Sequence, residues 1–306
     1  MHRDPVAAID CGTNTIKLLV GDPADEAGVV RESRMVRLGQ GVDQTGRLAP
    51  EALERAFAAI DDYAAIIRQA GVERIRFCAT SATRDSANAA DFAAGVRERL
   101  GVEPEVLSGE EEARLAFAGA VRFLAPDLAD PVLVVDIGGG STELILGSPT
   151  SGPRSAWSMD IGSVRLHERR IAHDPPLPDE VAAVVADIDA ALDACPVDPG
   201  MAASVVGIAG TVTTVAAGVL GLDAYDRARI DRQELAVADV HRVAAQLVAM
   251  TVAERRALGY VHPGRADVID AGALVLDRVL RRTHLERMTV AETDILDGIA
   301  WSLVEG

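Results

Sequence analysis

Several residue types are scarce in this chain, and each scarcity excludes a class of protein. Only 3 % of the 306 residues are aromatic, so single-stranded nucleic-acid binding through bases stacked on aromatic rings is poorly supplied. The three cysteines are scattered and odd in number, which argues against a disulfide framework and favours a reducing compartment. Motifs of zinc proteases, serine-hydrolase elbows, Walker lysine loops and zinc-spaced cysteine sets are also absent from the sequence.

The net charge and the N-terminal sequence further limit the binding partners and the cellular compartment that we expect. The formal net charge of −17 repels nucleic acid and membrane surfaces, and it means that a polyanionic ligand would need local basic residues. The N-terminal sequence lacks the basic stretch and apolar run of a signal peptide, so we expect a cytoplasmic protein. The segment Ala202–Leu222 carries no charge, but its four glycines favour a buried strand, a turn and a packed helix over a membrane span.

What the sequence does have is a repeat. Residues 6–21 and 132–147 align without a gap as an apolar strand, an Asp, a turn of Gly and hydroxyl residues, a second apolar strand and a closing Gly. We predict two β-hairpins whose tips present backbone N–H groups and hydroxyls, a geometry that suits phosphate. The predicted phosphate ligands at the two tips are Gly12, Thr13, Asn14, Gly138, Gly139, Gly140 and Ser141.

The two copies differ in the charge that they carry. Glu143 stands in the second copy where Lys17, the only lysine in the chain, stands in the first. Magnesium binds one or two carboxylates together with phosphate oxygens, so Asp10, Asp136 and Glu143 are the predicted metal ligands. Lys17 brings a cation toward the phosphate and is a predicted phosphate ligand. The ordinary alternatives are that each Asp caps its own turn and that Lys17 is a solvated strand residue.

The evidence for two further sets of candidate phosphate ligands is weaker when each set is taken alone. Gly210 and Thr211 lie in a third glycine turn between an apolar strand and a helix, where backbone amides can bind an anion. A close strand–helix packing turn is the alternative. Arg84 lies in a polar loop after a predicted buried strand and could clamp a phosphate, whereas a surface ion pair with Asp85 or Asp91 is the ordinary alternative.

A run of three glutamates follows Ser108 and opens a predicted helix. Ser108 and Glu111 have the spacing of a capping box, and acidic residues favour a helix start. Glu112 shares its helical face with Ala116 and Phe123, which we expect to point inward. A buried carboxylate has the raised pKa that a general base needs, so Glu112 is either a catalytic base or a buried structural acid.

The order of the predicted elements indicates an α/β protein of two related domains. We place the domains at residues 1–124 and 125–306, with a C-terminal helix at about residues 290–306 as a candidate to pack back on the first domain. The individual predictions are strands at Val29–Leu38, Arg74–Ala79 and Glu105–Leu107, and helices at Pro50–Gly71 and Ala89–Leu100.

In combination and order, these motifs resemble the exopolyphosphatase/guanosine pentaphosphate phosphohydrolase family of the acetate and sugar kinase/Hsp70/actin superfamily. The chain is most similar to a short two-domain subgroup, although Ile295–Gly298 stands where many members carry Arg-Glu-Gly. The similar segments span nearly the whole chain and are Asp10–Thr15, Ala79–Arg84, Ser108–Arg114, Asp136–Glu143, Gly162–Leu166 and Arg265–Ile269.

The resemblance implies two ribonuclease-H-like (actin-like ATPase) domains flanking a cleft. It also implies a water-activating base at Glu112, phosphate contacts at the three turns and at Arg84, and Mg²⁺ as the cofactor. The expected activity is magnesium-dependent hydrolysis of inorganic polyphosphate. The alternatives are a guanosine pentaphosphate hydrolase and a non-catalytic nucleotide or alarmone sensor. We expect no nucleic acid or membrane partner, and a homodimer is one candidate assembly.

Overall fold

The computed structural model describes residues 4–25 and 28–305, which form two compact units. The first unit comprises the chain up to Gly119 together with the segment from Ile295, and the second unit runs from Ala120 to Asp294. Within the described ranges, no helix combines the length and the apolar character needed to cross a bilayer. The uncharged segment Ala202–Leu222 instead contains a buried strand and a helix, as predicted.

The first unit is built on a five-stranded sheet with the order β3-β2-β1-β4-β5. Its first three strands are antiparallel neighbours, whereas β4 and β5 continue the sheet in parallel. All six residues of β1 are buried, which agrees with the apolar run at Val6–Ile9, and the burial extends to Asp10 near the end of the strand. The strands are β1 (Val6–Cys11), β2 (Thr15–Gly21), β3 (Val30–Met35), β4 (Ile75–Ala79) and β5 (Glu105–Val106).

Among the described residues, six helices belong wholly or mostly to the first unit. Pro50 opens α2, and Gly71 ends it in the left-handed conformation, as the sequence predicted. Tyr63 of this helix is fully buried and donates a 2.9 Å hydrogen bond to the Ile16 carbonyl, which ties the helix to the sheet. The helices are α1 (Val42–Thr45), α2 (Pro50–Ala70), α3 (Ser81–Arg84), α4 (Ala89–Leu100), α5 (Gly109–Val121) and α13 (Ile295–Glu305).

The C-terminal helix α13 packs closely within the first unit. A Cβ atom at Gly298 would overlap the carbonyl oxygen of Leu115 in α5, so only glycine allows the two helices to approach this closely. Asp297 is buried and forms an ion pair with Arg31 of β3. Helix α13 is therefore held against both the sheet and α5.

The second unit is built on a six-stranded sheet with the order β10-β11-β9-β6-β7-β8. Strands β6, β7 and β8 are antiparallel neighbours, and β9 and β11 extend the sheet in parallel from β6. This unit repeats the hairpin-plus-parallel-strand arrangement of the first, which is the ribonuclease-H-like topology. The strands are β6 (Val132–Ile137), β7 (Thr142–Ser148), β8 (Gly152–Met159), β9 (Ser204–Ile208), β10 (Glu234–Ala236) and β11 (Arg287–Val290).

A fully buried ion pair lies among the helices of the second unit. Arg255 donates a 2.9 Å hydrogen bond to Asp270 and further bonds to the carbonyls of Leu247 and Ala266. The helices are α6 (Ser163–Arg170), α7 (Pro178–Ala194), α8 (Ala209–Val219), α9 (Arg227–Ile230), α10 (Val237–Ala249), α11 (Val252–Ala257) and α12 (Ile269–Arg282), with 3₁₀ turns at Ala125–Asp127 and Pro199–Met201.

The predicted α/β class and both predicted hairpins are confirmed. Strand β1 pairs with β2 from Val6↔Gly21 to Cys11↔Ile16, and β6 pairs with β7 from Val132↔Gly147 to Ile137↔Thr142. Each pair of partners in one hairpin has its counterpart in the other at the aligned sequence position. The sequence repeat is therefore also a repeat of strand register.

Candidate active site

The tips of the two hairpins are closed by the same hydrogen bond. Gly12 N–H donates to the Thr15 carbonyl at 3.0 Å, and Gly138 N–H donates to the Ser141 carbonyl at 3.0 Å. This bond turns the chain sharply after each strand-end aspartate. The turn residues predicted to bind phosphate thus have the same backbone setting in both units.

In the first unit, neighbouring segments fix the tip. The Thr13 carbonyl accepts a hydrogen bond from Gly39 N–H, and the Thr13 hydroxyl lies 2.9 Å from the Ser81 hydroxyl. The Asn14 carbonyl accepts hydrogen bonds from Val36 and Arg37. Three of these contacts use the carbonyls of Thr13 and Asn14, so they anchor the turn without using the backbone N–H groups of those two residues, which an anion could bind.

Asp10 is the second-last residue of β1, next to this tip, and its side chain is buried. Lys17 lies directly opposite it on β2, and the ammonium nitrogen is 3.8 Å from the Asp10 carboxylate. About a quarter of the Lys17 side chain is exposed, so it is neither deeply buried nor a freely solvated strand residue. The strand-end carboxylate of the first unit thus has a cation of the chain itself beside it.

Glu112 is buried at the start of α5, as its helical position predicted. The Arg84 guanidinium donates through Nη1 to both the Glu112 carboxylate and the Leu107 carbonyl, each at 2.9 Å. Burial raises the pKa of Glu112, while the hydrogen bond and charge of Arg84 and a hydrogen bond from Thr80 act to lower it. The charge of Asp85 adds to the rise. The net direction is upward, which suits a group that must accept a proton near neutral pH.

The neighbours of Glu112 in sequence have other roles. Glu111 N–H donates to the Ser108 hydroxyl, which confirms that Ser108 caps the helix. The Glu111 carboxylate lies 3.3 Å from the Arg76 guanidinium. Glu110 is exposed. Of the three glutamates in this run, only Glu112 is buried.

Arg84 lies in a different local structure from the one predicted. The polar stretch after β4 forms the short helix α3, and Arg84 is its last residue rather than part of a loop. Backbone N–H groups of Thr83 and Arg84 bond back to the Thr80 carbonyl, so this turn forms directly at the strand end. It aims the arginine toward α5, 28 residues further along the chain.

In the second unit, the residue opposite the strand-end aspartate is another carboxylate. Asp136 and Glu143 are direct register partners on β6 and β7, and both are buried. Side chains of directly opposed residues lie on the same face within about 5.5 Å at Cβ. Ser158, the register partner of Glu143 on β8, donates a 2.7 Å hydrogen bond to its carboxylate. The oxygens of these two carboxylates are a donor set of the kind that could hold a hard cation.

Helix α6 caps the tip of the second unit. The N–H groups of Ser163 and Val164 donate to the carbonyls of Gly138 and Gly139, and the Arg165 side chain donates to the Gly140 carbonyl at 2.7 Å. A Cβ at Gly162 would overlap the backbone of Gly139 and Gly140. The Gly162–Arg165 motif seen in the sequence therefore exists to hold this turn. The composition of the sequence gave no sign that Arg165 would contact this turn.

The third glycine turn also carries an arginine that sequence reasoning did not single out. The Arg265 guanidinium packs directly against Gly210, where any side chain would collide with it, and donates a 3.1 Å hydrogen bond to Thr214. Burial lowers the pKa of Arg265. Thr211 is buried beside Gly272 of α12. The resemblance motif beginning at Arg265 was the signal that could have identified this residue.

The structure thus divides the predicted residues into two groups. Among the described residues, no three His, Cys, Asp or Glu side chains cluster as metal ligands, so Asp136 and Glu143 remain a two-carboxylate set. The first unit holds Asp10, Gly12, Thr13, Asn14, Lys17, Arg84 and Glu112, and the second holds Asp136, Gly138, Gly139, Gly140, Ser141, Glu143, Gly210 and Thr211.

Known proteins are similar to this chain over its full length. The sequence profile of the Ppx/GppA phosphatase family matches residues 24–305. "Exopolyphosphatase 2" of Mycobacterium tuberculosis is 45 % identical over an alignment that covers 97 % of this chain and 98 % of that protein. A crystal structure of an exopolyphosphatase-like protein is 41 % identical with a TM-score of 0.94, covering 98 % of this chain and 99 % of that one. An exopolyphosphatase structure from Cytophaga hutchinsonii is 27 % identical with a TM-score of 0.90, covering 99 % and 98 % of the two chains.

Proposed function

Because the chain belongs to the Ppx/GppA phosphatase family, we propose that it hydrolyses the terminal phosphoanhydride of inorganic polyphosphate and releases orthophosphate. It is an enzyme, a hydrolase of phosphoanhydrides, in line with the exopolyphosphatase names of its relatives. Its acidic net charge is unsuited to nucleic acid, and we propose that it works in the cytoplasm, where its three free cysteines would stay reduced.

The observation that carries this proposal is the setting of Glu112. The carboxylate is buried, its pKa is raised by that burial, and Arg84 is hydrogen bonded to it. The combination of a proton acceptor with raised pKa and an adjoining guanidinium is what attack of water on a phosphoryl group requires.

In the proposed reaction, Glu112 accepts a proton from a water molecule as the water oxygen bonds to the terminal phosphorus. The bridging P–O bond breaks, and its electron pair leaves with the shortened chain. Negative charge on the equatorial oxygens of the transferring group is stabilised by fixed donors, among which we place Arg84 and the tip residues Thr13 and Asn14. The Gly12 N–H is used in closing the tip. The anchored turn keeps these donors in place before the substrate arrives.

A chain with a net charge of −17 repels a polyanionic substrate, so the binding site needs local positive charge. Lys17 and Arg84 lie in the first unit near its tip residues. Arg165 and Arg265 lie beside the two glycine turns of the second unit. We propose that these four side chains create local positive potential where phosphates bind, against the acidic background of the surface.

We further propose that Mg²⁺ is the cofactor and that Asp136 and Glu143 hold it. Magnesium keeps several waters and takes one or two carboxylates, so this buried, register-paired set fits it. When bound, the ion would reduce the negative charge on the phosphate oxygens. Ser158 would orient Glu143, and Gly139, Gly140 and Ser141 would supply backbone and hydroxyl contacts to phosphate.

The test is a phosphate-release assay with Mg²⁺ on four substrates: short polyphosphate, long polyphosphate, guanosine pentaphosphate and ATP. We expect polyphosphate to give the highest kcat/KM. A higher kcat/KM for guanosine pentaphosphate would make that compound the substrate, and the reaction would still be hydrolysis of a phosphoanhydride. Tight binding of any of the four without phosphate release would contradict hydrolysis and indicate a sensor.

A further inference from the structure

The tip of the second hairpin caps the start of helix α6. The first N–H groups of a helix have no partner within the helix itself. In α6, three of them donate to carbonyls of the turn at 2.9 to 3.1 Å: Ser163 to Gly138, and Val164 and Arg165 to Gly139. Because these bonds join the helix to the turn, any shift or rotation of α6 moves the turn with it.

A helix of eight residues depends on other elements for its position. Isolated helices shorter than about 12–15 residues are marginal in water, so tertiary contacts must stabilise α6. Val164 and Leu166 supply buried apolar side chains, whose attraction is not directional. A directional contact comes from His167, whose Nδ1 atom lies 3.3 Å from the Asp270 carboxylate. An ionised carboxylate only accepts hydrogen bonds, so we assign the proton to Nδ1.

The acceptor of this hydrogen bond is itself held in place. Asp270 is fully buried at the start of α12, where Oδ2 accepts a 2.9 Å bond from Arg255 and Oδ1 a 2.7 Å bond from the Ala271 N–H. The Arg255 side chain is also fully buried, and it donates to the carbonyls of Leu247 and Ala266 at 2.7 and 3.1 Å. A carboxylate held by these donors is a fixed acceptor for the imidazole of α6.

Helix α12 contacts α6 at a second point on the same face. A Cβ added at Gly272 would lie 3.1 Å from the Ser163 Cβ and 2.7 Å from the Thr211 hydroxyl. Ser163 and His167 are four residues apart and therefore lie one above the other on α6. The start of α12 thus holds α6 both at the residue that bonds to the turn and one helical turn further along.

We infer that His167 is a positioning residue for the phosphate-binding turn of the second hairpin, with Asp270 and Arg255 as its fixed support. This inference rests on the proposed function, in which the turn contacts phosphate. Without the His167 hydrogen bond, α6 can rotate, and the carbonyls that cap it move with the helix. The donors of the turn then leave the positions that suit phosphate, while Glu112 and Arg84 of the first unit are unchanged.

Two variants of the full chain separate the hydrogen bond from the size of the side chain. His167→Leu removes the donor with a residue that favours helix, and His167→Asn keeps an N–H donor near the place of Nδ1. In phosphate release from polyphosphate, His167→Leu is expected to raise KM by about 10-fold or more with little change in kcat. His167→Asn is expected to stay close to the wild type, and equal impairment of the two variants would overturn the inference.

Arg170 provides a matched control on the same helix. Its guanidinium forms an exposed ion pair with Asp187 of α7, so Arg170→Leu also removes a polar contact between helices, but at the end of α6 away from the turn. Exposed ion pairs contribute little, and we expect an unchanged KM. A rise in KM equal to that of His167→Leu would overturn the specific role of His167.

Hydrogen exchange, measured by mass spectrometry, tests the inference without turnover. His167→Leu is expected to speed amide exchange in peptides that cover Gly138–Ser141 and α6, whereas His167→Asn and Arg170→Leu are not. Faster exchange at the turn with an unchanged KM would support the positioning role and contradict the phosphate contact on which it rests. Unchanged exchange at the turn would overturn the inference, and so would faster exchange spread evenly through the second unit.

A second substitution covers the case in which His167→Leu does not fold. His167→Gln keeps a polar side chain, but its amide donor lies one bond further from the backbone than Nδ1 does. We expect faster exchange at the turn and a raised KM in this variant also. Exchange and KM equal to those of the wild type would overturn the inference.

Discussion

The Arg84 guanidinium donates a 2.9 Å hydrogen bond to the Glu112 carboxylate, and burial and this arginine move the pKa of that carboxylate in opposite directions. Burial raises the pKa and is the larger effect, whereas the arginine lowers it. The arginine therefore keeps a buried acid ionisable at a pH where the enzyme can use it. The pair sets the protonation state of the proposed base.

The pH dependence of hydrolysis should report this balance. A general base must be deprotonated, so kcat/KM should fall as the pH drops through the raised pKa of Glu112, above the range of an ordinary carboxylate. Arg84→Met removes an effect that lowers this pKa, so the acid limb of the pH–rate profile should move to higher pH. The exposed Arg114, two residues from Glu112, gives a matched control in Arg114→Met. An unmoved limb in Arg84→Met would contradict the pairing.

Removal of the proposed base should stop the reaction without unfolding the chain. Glu112→Gln keeps the size of the side chain and an acceptor for Arg84, but it cannot take a proton. We expect kcat to fall by about 10²–10⁴-fold, measured as phosphate release from polyphosphate, with an unchanged circular dichroism spectrum. Glu110→Gln, in the same helix at an exposed position, should keep full activity. Full activity in Glu112→Gln would remove this residue from the catalytic role.

Ser158 should affect magnesium binding because it orients the Glu143 carboxylate. Its hydroxyl donates a 2.7 Å hydrogen bond to the Glu143 carboxylate, and loss of a partner that orients a metal ligand weakens metal binding by about 10-fold or more. Ser158→Ala should therefore raise the Mg²⁺ concentration needed for half-maximal rate by that factor. Ser155→Ala, at an exposed position of the same strand, should not. Equal Mg²⁺ dependence of the two variants would argue against Glu143 as a ligand.

The buried pair of Arg255 and Asp270 should dominate the stability of its unit. Both side chains are almost inaccessible to solvent, so Arg255→Met leaves a buried carboxylate without its guanidinium partner and with only His167 as a basic neighbour. We expect a loss of about 3–5 kcal/mol in the free energy of unfolding, measured by urea denaturation. The double variant Arg255→Met/Asp270→Leu should recover much of it, because the uncompensated charge is gone. The exposed Arg256 provides the control variant Arg256→Met.

Gly298 should be intolerant of even one added carbon. A Cβ there overlaps the Leu115 carbonyl, so Gly298→Ala must push α13 and α5 apart. Overpacking of this kind costs about 1–3 kcal/mol, and α5 also carries Glu112. We expect a lower Tm together with a lower kcat and little change in KM. Val304→Ala, near the end of the same helix, is the comparison, and unchanged kcat in Gly298→Ala would show that α13 does not position α5.

Much of the fold could be predicted from the sequence because its signals are local. Gapless alignment of residues 6–21 with 132–147 predicted both hairpins, and their registers agree with that alignment. Pro50 and Gly71 bounded α2, and the helix predicted at Ala89–Leu100 has those bounds in the structure. Proline and glycine determine such boundaries through their own backbone preferences, which are visible without tertiary contacts.

The unpredicted parts depend on contacts between residues far apart in sequence. The partner of Arg84 is 28 residues away, and nothing in its neighbourhood distinguishes Glu112 from Asp85 or Asp91 as that partner. Arg265 reaches Gly210 from 55 residues further on. The helix α3 also formed in a segment that was interpreted as a loop, because its capping bonds start from the end of a buried strand.

The position of α13 affects the order in which the two units can fold during synthesis. The helix is the last described element of the chain, yet it packs on β1, the first. Ribosomes deliver the N-terminus first, and domains usually fold in that order. Here the second unit, from Ala120 to Asp294, is a continuous segment that can complete its fold before the first. The N-terminal part of the first unit must wait, without the helix that packs on β1, until residues 295–305 have been synthesised.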